Sequence, residues 1–130
     1  MNPASAILRS AKTIAVVGLS GKRFRASFGV AECLQRAGYR IVPINPLETA
    51  VLGEKCYPDL DSVPDPIDIV DIFRRSEFVP EIVEAAIRKG AKAVWMQEGV
   101  IHEQAARRAE AAGLAVFMDR CILKDHSRLA

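Results

Sequence analysis

Three times along this 130-residue chain a helix-like stretch ends in a glycine that leads into an apolar, strand-like run. "SFGVAECLQRAG" ends at Gly38 before "YRIVPIN", "SEFVPEIVEAAIRKG" ends at Gly90 before "KAVWMQ", and "HEQAARRAEAAG" ends at Gly113 before "LAVFMD". Glycine is a natural stop because it enters the left-handed region that closes a helix C-terminus. Two more runs, "TIAVVG" (13–18) and "IDIVDIF" (67–73), bring the predicted strands to five. Strand, helix and strand repeated over short connections pair the strands in parallel through right-handed crossovers. The expected fold is α/β: a single doubly wound, mainly parallel five-stranded sheet with helices on both faces, one domain over residues 1–130.

Local signals fill in the frame. Ser76 is placed to cap the helix "SEFVPEIVEAAIRKG", Pro80 falls early enough to be tolerated, and "PASAILRSA" adds a short helix before the first strand. The Pro- and Asp-rich stretch 46–66 breaks the rhythm and is expected to be an irregular crossover. Trp95 and Met96 fall in a buried-strand pattern, "ARRAE" in a solvated helix face, and Asp68 and Asp71 are expected to serve helix or loop partners.

Composition bounds the function. Half of the residues are hydrophobic, enough to bury a core without disulfides, and 18 basic against 16 acidic residues leave only +2. No nucleic-acid or membrane partner follows from bulk charge, so any anion site must be local. The three cysteines form no CxxC pair or zinc spacing, no signal-like core opens the chain, and no apolar run reaches the roughly 18 residues of a membrane span. A cytoplasmic protein without a metal site is expected.

In doubly wound sheets ligands bind beyond the carboxyl ends of the strands. The candidates are therefore 18–27, Asn45 and Pro46, Arg74 to Ser76, Gln97 to Gly99, and Asp119 to Cys121. In "VVGLSGKRFRASFG", Gly18 permits a tight turn and Gly29 close approach to the next helix. The N–H groups near Ser27, with Lys22, Arg23 and Arg25, suit phosphate. "GLSGKR" lacks the later glycines of GxGxxG, and "PINP" lacks the acid that holds a ribose diol in NAD sites. The arginines suit a nucleotide with an extra phosphate, NADP or coenzyme A.

The blocks "VVGLS", "GYRIVPINP", "VLGEKCYPDL", "DIVDIFRRSEFVPEIV", "GAKAVWMQEGV" and "AGLAVFMDRC" resemble the small stand-alone CoA-binding proteins, relatives of the N-terminal CoA-binding domain of the succinyl-CoA synthetase α subunit. The resemblance runs from Ile7 to Leu129 and implies a Rossmann-like fold with coenzyme A or an acyl-CoA as ligand. Carried over by position, it implies phosphates near Gly18, Ser20, Arg25 and Ser27. Adenosine lies beside Pro43, Asn45 and Pro46, closed by Phe73, Arg74, Arg75 and Ser76, and Gln97, Glu98 and Gly99 lie towards the pantetheine arm. Relatives commonly carry a proline in the loop where this chain has none between Gly18 and Ser27, which leaves Arg25 as the firmer assignment over Lys22 and Arg23.

The family reading is of a CoA-binding module rather than an enzyme. Synthetase relatives use a phosphorylatable histidine on a second domain, whereas His102 and His126 lie in a polar helix start and a charged tail and are read as surface residues. The alternatives are an NAD(P)-binding oxidoreductase or an accessory subunit of an acyl-CoA ligase; no protein partner is specified. Cys121 follows the fifth strand, with Arg120 and Lys124 near enough in sequence to favour its thiolate. It is either a packed small hydrophobe or a thiol that exchanges with the disulfide of CoA.

Overall fold

A computed structural model describes residues 3–129. The elements run α1 (Pro3–Ser10), β1 (Thr13–Val17), α2 (Ala26–Arg36), β2 (Arg40–Ile44), β3 (Ala50–Val51), β4 (Glu54–Lys55), β5 (Ile69–Ile72), α3 (Val79–Lys89), β6 (Ala93–Met96), α4 (Glu103–Ala111), β7 (Ala115–Phe117) and α5 (Ile122–His126). Five strands form one sheet in the order β2-β1-β5-β6-β7, every neighbouring pair parallel. This is the expected α/β, Rossmann-like architecture. The chain leaves β1 towards β2 on one side and later returns to β5 on the other, so the topological switch point lies between β1 and β5.

Both faces of the sheet are covered, which is why β5 and β6 are buried at every position. On one face Leu8 of α1, Leu34 of α2 and Ile122 of α5 pack with Ile14, Val16 and Trp95. On the other, Val79 and Val83 of α3 and Ala109 of α4 pack with Val70, Ile72 and Val94. Trp95 and Met96 are core residues, as expected. The indole of Trp95 stacks on Phe117 at 4.3 Å, and its Nε1–H donates to the Arg120 carbonyl at 3.0 Å, fixing the entry to α5.

Four local expectations need correction. The stretch 46–66 is not wholly irregular: β3 and β4 form an antiparallel hairpin there, and Ile44 bridges Tyr57 in parallel. Ser76 does not cap α3. It opens a 3-10 turn, Ser76–Phe78, and its Oγ accepts the Ile101 N–H at 2.9 Å, tying the β5 loop to the β6 loop. His102 is no idle surface residue, because its Nδ1 accepts the Ala105 N–H at 3.0 Å and caps α4.

Asp68 and Asp71 divide. Asp68 Oδ2 accepts the N–H groups of Lys12 and Thr13 at 2.8 and 3.0 Å, the loop partnership expected of it. Asp71 has no such partner: it is fully buried in β5, opposite Val16 and Trp95, and neither carboxyl oxygen receives a hydrogen bond. Burial pushes its pKa well above the usual 3.8, favouring the protonated form.

Candidate functional site

At the switch point the backbone is closely packed. Gly18 donates its N–H to the Ile44 carbonyl at 2.8 Å, and Phe73 donates to the Val17 carbonyl at 2.9 Å, so the ends of β1, β2 and β5 converge. Gly18 has φ +87°, and a Cβ there would stand 2.5 Å from the Phe73 carbonyl oxygen. Only glycine satisfies both conditions.

Beyond Gly18 a cavity of about 600 Å³ opens, lined by Ser20, Lys22, Arg25, Ala26, Ser27 and Phe73 on the β1 and β5 sides and by Asn45, Leu47 and Glu48 on the β2 side. The N-terminus of α2 enters it with no side chain capping it. Its free N–H groups and dipole make the cavity electropositive, and Lys22 and Arg25 add charge. The serines shape the loop: Ser20 N–H donates to Ser27 Oγ and Lys22 N–H to Ser20 Oγ, each at 3.1 Å. Each hydroxyl oxygen thus accepts from the backbone and keeps its own proton to donate outward. Asn45 binds the two loops together, giving Nδ2–H to the Leu19 carbonyl at 3.0 Å while Oδ1 accepts the Leu47 N–H at 2.9 Å.

A second cavity, about 340 Å³, lies on the α3 side and shares Gly18 and Asn45 with the first. Its floor is apolar, built from Val17, Ile44, Pro46, Leu60, Phe78 and Ile82, and its rim carries Arg74, Arg88, Asp59, Asp61 and Glu81. The Arg74 guanidinium lies 4.4 Å from the centre of the Phe78 ring. A slot with an aromatic floor and a stacked guanidinium accepts a flat heteroaromatic group beside an anion. Arg88 is not available in the same way, since Asp61 holds it at 2.9 Å.

Of the expected site residues, Gly18, Ser20, Arg25, Ser27, Asn45, Pro46, Phe73 and Arg74 line one or both cavities. Other expected residues lie elsewhere. Pro43 is buried within β2, paired with Val16, and its carbonyl accepts the Tyr57 N–H. Arg75 lies on the exposed rim at 3.5 Å from Glu77. Gln97 is buried, its Oε1 accepting the Ile122 N–H at 3.1 Å, and Glu98 pairs with Lys124 at 2.9 Å. Gly29 is exposed, and apart from its neighbours in the chain and the adjoining α2 backbone no atom lies within 4 Å of where its Cβ would be.

Cys121 is half-buried at the start of α5, while Cys33 is exposed on α2 and Cys56 is buried. The two cations expected to favour its thiolate are both engaged by carboxylates, Arg120 by Asp125 and Lys124 by Glu98. Among the described residues no group of three or more His, Cys, Asp or Glu could hold a metal, and no helix is long and apolar enough to cross a membrane.

A model of the CoA binding domain matches residues 12–127. The chain belongs to that family. It is 41% identical over 130 residues to the Bacillus subtilis protein YneT, covering 97% of this chain and 96% of that one. It superposes on a hypothetical protein from Pyrococcus horikoshii with a TM-score of 0.94 at 41% identity, over 97% of this chain and 89% of that one. It is also 30% identical over 101 residues to the ADP-forming acetate–CoA ligase II of Archaeoglobus fulgidus, a match that covers 76% of this chain but 15% of the ligase. In this CoA-binding domain both cavities lie within the matched residues.

Two parts of the site escaped the sequence reading. Leu60 falls in the crossover 46–66 and Phe78 and Ile82 in the helix-like stretch after the third predicted strand, and nothing in their spacing marks them as site residues, although a connection leaving β2 and a helix following β5 must both pass over the carboxyl edge. Glu48 carries no signal of its own in the sequence, yet it lies two residues past "PINP", just beyond the strand end where an acid would hold a ribose diol.

Proposed function

We propose that the chain works as one CoA- or acyl-CoA-binding module without turnover of its own. The observation that carries this reading is the uncapped N-terminus of α2 opening into a cavity beside Arg25, with a second, apolar cavity across Gly18. CoA offers the matching chemistry: a diphosphate for the first, an adenine for the second, and a further phosphate for the rim arginines. Gly18, Ser20, Arg25 and Ser27 hold the diphosphate, Asn45, Pro46 and Phe73 the space between, and Arg74, Arg75 and Ser76 the adenosine side. The pantetheine arm runs towards Gln97, Glu98 and Cys121. Titrating CoA into isotope-labelled protein should shift the amides of Gly18, Ser20, Ser27 and Asn45 most; shifts concentrated at the amino ends of the strands would refute the assignment.

Two finer readings go with this one. Cys121, half-exposed on the rim past β7, attacks CoA disulfide as its thiolate, forming a protein–CoA mixed disulfide and releasing one CoA thiolate. Intact mass after incubation with CoA disulfide should show one reducible CoA adduct, lost in Cys121→Ser; an adduct mapped to Cys33 or none at all refutes it. The identity to an acetate–CoA ligase supports a role as accessory subunit of an acyl-CoA ligase. On its own the chain should form no acetyl-CoA from acetate, CoA and a nucleotide.

A further inference from the structure

Glu48 lies in the loop between β2 and β3 and lines the electropositive cavity together with Lys22, Arg25, Ala26 and Ser27. Its Oε2 accepts the Gly21 N–H at 2.7 Å, joining the loop after β1 to the loop after β2. A Cβ on Gly21 would stand 2.7 Å from that oxygen and 3.2 Å from the carboxyl carbon, so the contact fills the space a side chain would need. Gly21 is not among the positive-φ glycines; in this conformation its bare Cα serves the close approach of Glu48. The protein thus holds a carboxylate that lines the cavity on a loop N–H between Ser20 and Lys22, two residues that line it as well.

A phosphate oxygen entering this cavity seeks the same kind of donor that Glu48 holds, and two anions on one N–H repel. We propose that Glu48 is an internal latch on the anion site: its carboxylate holds Gly21 N–H in the free protein and swings out when a ligand diphosphate takes its place. The inference rests on the CoA reading for the ligand's identity, not for the latch itself. Binding then selects the unlatched fraction, so the apparent dissociation constant is the intrinsic one divided by that fraction. Removing the carboxylate removes this cost, and a truncation inside the site tightens binding.

The test compares wild-type protein with Glu48→Ala and Glu48→Gln by calorimetric titration with CoA, and by following the Gly21 amide resonance during titration with inorganic pyrophosphate. Glu48→Ala should bind both about tenfold more tightly, the size of one charge-assisted hydrogen bond at a partly exposed position. Glu48→Gln keeps an acceptor but loses the charge and should fall between. Affinity for CoA unchanged or weakened in Glu48→Ala overturns the latch while leaving the CoA reading in place. If CoA binds none of the three proteins, the CoA reading fails and pyrophosphate decides: tighter binding to Glu48→Ala upholds the latch, and equal or absent binding overturns it.

Discussion

Asparagine in place of Asp71 should make the protein more stable as the pH rises, relative to wild type, although it removes an acid. Asp71 is fully buried in the middle of the central strand β5, and both oxygens lack hydrogen-bond partners. Burial raises its pKa well above 3.8, so the native state keeps the proton that the unfolded chain releases near 3.8. Below about pH 4 both states hold the proton and the residue adds no pH dependence. Above that, the unfolded state binds fewer protons than the native one, and stability falls by about 1.4 kcal/mol per pH unit until the native pKa is reached. The uncharged amide has no such term and nearly the same shape. The difference between variant and wild type should therefore be smallest at pH 4 and grow in the variant's favour through pH 5 and 6, by at most about 1.4 kcal/mol per pH unit. Urea unfolding of both proteins at pH 4, 5 and 6 isolates the effect, because every other titrating group cancels. Parallel profiles, or a wild type that gains on the variant as pH rises, would refute the reasoning and mean that Asp71 is ionised and paired.

The other predictions concern the switch point and its surroundings. Gly18→Ala must fit a Cβ 2.5 Å from a carbonyl oxygen at φ +87°, and should lose about 2–4 kcal/mol of stability in a denaturant titration; an unchanged midpoint would mean that the loop relaxes freely. Burial alone would raise the pKa of Asp68, but the Lys12 and Thr13 N–H groups and Lys92 outweigh it and lower it. Its contribution is present above the usual 3.8 and lost as pH falls through the native value, so Asp68→Asn should cost about 1–2 kcal/mol at neutral pH and progressively less in acid; a cost independent of pH would contradict this. Arg25→Ala and Arg74→Ala should each weaken CoA binding by about 1–2 kcal/mol with melting temperatures nearly unchanged, since both lie on loops. Wild-type affinity in both would dismiss the phosphate cradle, and loss of folding would make the arginines structural.

The sheet was legible because its signals are local. Gly38, Gly90 and Gly113 each adopt a positive φ within two residues of a helix end, and the apolar runs that follow are long enough to be strands on their own. The hairpin within 46–66 was not legible for an equally local reason. Its turn has Leu52 at φ 56° and Gly53 at φ 76°, the left-handed pair of a tight hairpin, but the first position carries leucine where asparagine, aspartate or glycine would announce it. With strands of two residues each, no alternation compensates. Ser76 had the right residue type for a cap, but the Ile101 N–H claims its hydroxyl from a loop 25 residues away. The lining of the cavity from Gly18 to Ser27 was readable because those residues are contiguous in sequence, running from the end of β1 into the first turn of α2. The Glu48 contact and the α3 cavity depend on segments brought together only by the crossover, and sequence spacing carries no signal of them.

Calorimetric titration of the wild-type protein with CoA and, separately, with NAD tests the central claim most directly. The cavity beside Arg25 and α2, the arginines at the end of β5 and the lack of a free acid at the end of β2 predict that CoA binds measurably and more tightly than NAD. NAD binding with an affinity equal to or greater than that of CoA would contradict the account.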